Sequence, residues 1–141
     1  MQSGFIDKFV YLLKFINMKN YFVLLLPILF ALQSCKPSAD GLFKKIESET
    51  GFKLTINPRG SDEFTKSMNV SVPKTADNIK KIERIPDIID AYLKMVITKD
   101  RSDFNVVKTE RLQWENSEFD VLLKITHFPD DFSVIIFYTT K

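Results

Sequence analysis

Twelve consecutive apolar residues, Tyr21–Leu32, end three positions before the only cysteine of the chain, Cys35. A membrane-crossing helix needs about 20 such residues. A run of twelve, with Pro27 inside it, has the length of the hydrophobic region of an export signal. Lys19 places a positive charge ahead of the run, and the small residue Ser34 stands immediately before Cys35. This feature divides the chain. Residues 1–34 read as a removable targeting segment, residues 35–39 as a short junction, and residues 40–141 as one globular domain. Within the first segment, Phe5, Phe9, Leu12, Leu13 and Ile16 form a second apolar stripe at helical spacing. Met18 opens a signal of conventional length, so residues 1–17 read as a spurious extension.

The residues Leu32-Gln33-Ser34-Cys35 resemble the lipobox of bacterial lipoproteins: Leu, a small residue, Gly/Ala/Ser, then Cys. Gln33 departs from that pattern, where a smaller residue is usual. The resemblance implies cleavage between Ser34 and Cys35, a thioether diacylglycerol on Cys35, and membrane attachment through lipid such as palmitate. Each buried methylene contributes about 0.8 kcal/mol, and two or more chains make such an anchor stable. Lys36 stands where an Asp would signal inner-membrane retention in enteric bacteria, which favours the outer membrane where the host has one. Two other readings stay open: a signal anchor retained in the membrane, and a cleaved secreted protein with a free Cys35 thiol.

Charge narrows the function classes. Three lysines and one aspartate precede residue 35, leaving 17 basic and 17 acidic side chains after it. The domain is therefore neutral, and the sequence pI of 8.6 belongs to the whole chain. A neutral domain offers no broad electrostatic footprint for nucleic acid and no polybasic cluster for anionic lipid. Lys44-Lys45 and Lys80-Lys81 are too few, and too closely balanced by Glu, to change this. One cysteine excludes an internal disulfide, but 107 residues suffice for a hydrophobic core without one.

The domain reads as α+β. Asp40–Thr50 has helical spacing and stops at Gly51. Phe52–Ile56 alternates as a strand and ends in the turn Asn57-Pro58-Arg59-Gly60. Ser61–Ser67 reads as polar loop, and Met68, Val70 and Val72 alternate as a second strand closed by Pro73. Asp77–Lys99 is helical but broken at Pro86, which suits the first position of a second helix. Three strands follow, over Phe104–Trp114, Phe119–Ile125 and Phe132–Tyr138. The order α-β-β-α-β-β-β, without βαβ alternation, predicts a small antiparallel sheet of about five strands flanked by helices.

Several of these segments resemble PsbP-like domains. Phe52–Gly60 is similar to the opening strand and Pro-x-Gly turn of that family. Asn69-Val70-Ser71-Val72, the helix through Tyr92 and the strand at Phe104–Val107 follow in the family's order, while Ser61 stands where an aromatic residue is usual. The resemblance implies an antiparallel sheet flanked by helices, action mainly through binding, and no catalytic residue.

No residue pattern announces chemistry. His127 is the only histidine, and a metal site or general base needs companions that the chain does not supply. A hydrogen-bonded residue at a strand end is the plainer reading. Asp130 and Asp131 suit a turn after Pro129 and lack calcium-loop spacing. Asp62-Glu63 reads as a solvated pair, Ser61 and Ser117 have no nucleophile elbow, and the four glycines form no phosphate loop. Trp114 and His127 are the residues singled out for a ligand or partner face, with core packing the default for Trp114. The chain thus reads as a lipid-anchored envelope protein whose domain binds rather than catalyses. It calls for no cofactor, and its expected partners are the membrane through Cys35 and another envelope protein. The alternatives are an envelope enzyme or small-ligand carrier with a pocket on the sheet face, and an accessory subunit whose final strand, Phe132–Tyr138, pairs with a partner strand.

Overall fold

Ser38 has extended backbone, and its side-chain oxygen accepts the Gly41 N–H at 3.1 Å. That cap starts helix α1, Ala39–Thr50, and Gly51 ends it in the left-handed region at φ 73°. The computed structural model describes residues 36–141 except Asn105. Helices α2, Ala76–Glu83, and α3, Ile85–Leu93, follow later. Thr75 caps α2 by accepting the Asn78 N–H at 3.2 Å, and Pro86 occupies the first turn of α3 as expected. Lys94, at φ 54°, stops α3 well before Lys99. The helical reading of Asp77–Lys99 therefore overran, and its last residue belongs to a strand.

The strands are β1 (Thr55–Ile56), β2 (Thr65–Pro73), β3 (Lys99–Asp100), β4 (Thr109–Glu115), β5 (Phe119–His127) and β6 (Asp131–Thr140). They form one antiparallel sheet in the order β1-β2-β6-β5-β4-β3. The α+β architecture is as the sequence predicted. It has six strands rather than about five because the two-residue strand β3 pairs with β4 at one edge, while the expected strand over Phe52–Ile56 is reduced to β1 at the other. β2 begins at Thr65, inside the expected loop, and β4 at Thr109, five residues later than expected.

The helical connection after β2 carries the chain to the far edge of the sheet, and a meander from β3 returns to β2. β6 therefore lies between β2 and β5 and is paired along both sides. A partner strand cannot add to it, so the expectation of an exposed final strand is corrected.

Burial alternates along the strands with period two. Val121, Leu123 and Ile125 of β5 face Tyr138, Ile136 and Val134 of β6, and all six are buried. Leu42, Phe43 and Ile46 of α1 and Ile85, Ile88, Ile89 and Leu93 of α3 complete the same core. The other sheet face is mixed, with Leu122, Ile135 and Phe137 among polar and charged residues. The compact unit runs from Pro37 to Lys141. Tyr138 Oη donates to the Pro37 carbonyl at 2.8 Å, so the stretch read as a junction over 35–39 is already structured from Pro37.

Candidate functional site

Asp40, Phe43, Lys44 and Glu47 recur at the spacing that places residues on one helical face. On α1 this face borders a cleft of about 600 Å³, whose opposite wall is the β1–β2 hairpin. Ile56 and Met68 stand opposite each other in that wall, and Ile56 is 71% exposed. The rim is charged. Lys66 Nζ reaches both carboxylate oxygens of Asp40 at 3.0 Å, an exposed pair that contributes little to stability. Glu47 Oε1 accepts the Leu54 N–H at 2.9 Å and so blunts the outer edge leading into β1. Asp62 accepts the N–H groups of Phe64 and Thr65, and these bonds, that from Phe64 foremost, hold its carboxyl below the usual range. The cleft has an apolar floor and charged margins, in the size range of small-ligand sites. It lies beside α1, not on the sheet face.

The two residues singled out from the sequence do not form a common site. Trp114 is fully buried, and its indole N–H donates to Asp90 of α3 at 2.5 Å. It is a core residue and presents no surface to a ligand or partner. His127 lies on the same sheet face, at the opposite end of β5 from the residue that pairs with Trp114. Its Nε2 is 2.9 Å from Glu110 Oε1, its ring meets Phe132 edge-on at 4.9 Å, and Lys108 also pairs with Glu110 at 2.6 Å. This is the hydrogen-bonded strand-end arrangement. Ser34 and Cys35 lie outside the described residues.

A second charged cluster joins the sheet to the chain end. Glu115 receives Lys141 Nζ at 2.8 Å on one oxygen and Lys99 Nζ at 2.6 Å on the other. These bonds, that from Lys141 foremost, lower its pKa to about 2. A carboxyl depressed in the folded state contributes stability above its unfolded pKa and loses it as pH falls through the folded value. Glu115→Gln should therefore lower the urea midpoint at pH 7, by an amount that shrinks as the pH falls from about 4 towards 2. A constant difference across that range would refute the assignment.

Among the described residues no group of acidic, histidine or cysteine side chains is placed to hold a metal, and no helix is long and apolar enough to cross a membrane. No family model, curated protein or solved structure matches the chain. The cleft was only partly readable from sequence. The helical spacing of Asp40, Phe43, Lys44 and Glu47 is visible there, but nothing in the sequence says that Ile56 stays exposed. The pairing of Asp90 with Trp114 had no sequence signal, since Asp90 reads as an ordinary polar residue of the helix.

Proposed function

We propose that the chain is a lipid-anchored envelope protein whose α+β domain acts by binding. The order of features along the chain carries this reading. A twelve-residue apolar run is followed by Ser34-Cys35, and the compact unit begins at Pro37, two positions later. A lipid on Cys35 would leave almost no slack, because the Pro37 carbonyl is fixed by Tyr138 and the backbone of Ser38 by Tyr92. The domain would stand at the bilayer surface instead of ranging from it. Trp114 is fully buried with its N–H taken by Asp90, so it faces no substrate.

The test is metabolic labelling with a palmitate analogue, comparing the wild-type chain with Cys35→Ala, together with the mass of the mature amino terminus. Label that disappears in Cys35→Ala, with a terminus at residue 35, is expected. Unlabelled protein that still carries residues 18–34 would overturn the proposal.

A further inference from the structure

The sheet face away from the helices carries a row of cations. Arg111 of β4 stands opposite Lys124 of β5. The pairing of Lys99 with Gln113 and of Asp100 with Leu112 continues by one residue, where the Arg101 N–H bonds the Arg111 carbonyl at 2.9 Å. Arg101, Arg111 and Lys124 are thus neighbours on three successive chain segments. Cross-strand partners project to the same side, and the adjacent Leu112 and Leu123 point into the core, so the three cations project outward. With strands about 4.8 Å apart, they span about 10 Å.

These cations are unpaired. Among the described residues none of the three makes an ion pair or a side-chain hydrogen bond. Like charges directly opposite each other destabilise a sheet, yet the nearby acids are committed elsewhere. Glu115 holds Lys99 and Lys141, Asp120 accepts Gln113 Nε2 at 2.8 Å on both oxygens, and Asp103 is already partnered. The next row towards the β5–β6 turn starts at Asp103, which bridges to Thr109, and continues in hydroxyls: Thr109, Thr126, Ser133 and Ser71 are successive cross-strand neighbours.

We propose that Arg101, Arg111 and Lys124, with the hydroxyls of Thr126 and Ser133, bind an anionic polysaccharide, a sugar chain bearing carboxylate, sulfate or phosphate groups. A line of cations suits the successive charges of an extended polymer better than a single small ion. The guanidinium forks match planar and tetrahedral oxyanions, and the hydroxyl row suits sugar hydroxyls. Single-stranded nucleic acid needs aromatic platforms for its bases. Within the strands of this face the aromatic side chain is Phe137, which lies beneath Gly60, where a Cβ would come within 2.7 Å of its ring, while the exposed Phe104 and Phe128 lie outside the strands. The proposal does not depend on the lipid at Cys35.

The experiment uses the full chain in detergent and follows the fluorescence anisotropy of labelled dextran sulfate and polygalacturonate, with neutral dextran as the control. The expected result is binding of at least one anionic polymer and not of dextran, weakening about 20- to 40-fold between 50 and 200 mM salt for three contacts. R111T/K124T should lose at least tenfold in affinity while keeping or raising the melting temperature, because a like-charge pair is removed. K53T/K80T, with the same change of net charge elsewhere on the surface, should retain affinity. The proposal is overturned by absence of binding, or by equal losses in the two double variants. It is equally overturned if single-stranded DNA or dihexanoyl phosphatidylglycerol displaces the polymer better than unlabelled dextran sulfate does, which would assign the row to nucleic acid or to a lipid headgroup.

Discussion

Trp114→Ala is expected to destabilise the domain by about 4 kcal/mol, read as a fall in the urea midpoint at unchanged slope. Two costs combine. The indole is fully buried on β4, opposite the equally buried Val121, so truncation leaves a large cavity under α3. The indole N–H also satisfies Asp90, and its removal strands a half-buried carboxylate against the sheet. Trp114→Phe separates the two. It keeps most of the ring packing, loses the hydrogen bond, and should cost about 1–3 kcal/mol. In a double-mutant cycle with Asp90→Ala, the coupling should account for most of the Trp114→Phe loss. A Trp114→Ala effect below about 1 kcal/mol would mean that α3 is not seated on β4 as described. The large expected value also explains why Trp114 serves no external ligand: its polar edge is already used to orient a helix.

What the sequence reveals of this protein follows the range over which its signals act. Phe119, Val121, Leu123 and Ile125 alternate because one face of β5 is buried, and that period can be read from neighbouring residues alone. Gly51 and Pro86 likewise act locally, and both mark helix boundaries where expected. Strand order is a different kind of fact. Phe132–Tyr138 is rich in apolar residues because β6 is flanked by β2 and β5, but the same composition would suit an edge strand awaiting a partner. Lys99–Asp100 becomes a strand only because β4 is beside it to accept the pairing. The candidate sites share this limit. Arg101 and Arg111 each follow an acidic residue and Lys124 sits between Leu123 and Ile125, and only the antiparallel register sets the three side by side. A neutral overall charge is compatible with a locally cationic row, because the nearby Glu115 and Asp120 are bound to lysines and to an amide.

Gly41→Ala is expected to destabilise the domain by about 2 kcal/mol, although alanine is ordinarily the better helix former by about 1 kcal/mol. A Cβ at Gly41 would lie 2.1 Å from Tyr92 Oη and 3.0 Å from Ser38 Oγ. Neither neighbour can give way freely. Tyr92 Oη accepts the Ser38 N–H at 3.2 Å and donates to the Ser38 carbonyl at 3.3 Å, while Ser38 Oγ caps α1 through the Gly41 N–H. The added methyl must therefore displace the tyrosine ring and break the clamp that fixes the entry of the chain into the domain. Tyr92→Phe removes the closest atom and leaves the ring carbon Cζ at 3.1 Å, a tight contact that a small shift relieves. G41A/Y92F should consequently be more stable than the sum of the two single losses predicts, by about 1 kcal/mol in thermal or urea unfolding. Strict additivity would mean that the hydroxyl does not sit over Gly41. Coupling of the expected sign would establish that α1 and α3 are locked together at the point where the chain enters, so that any force applied through residue 36 is carried by both helices at once.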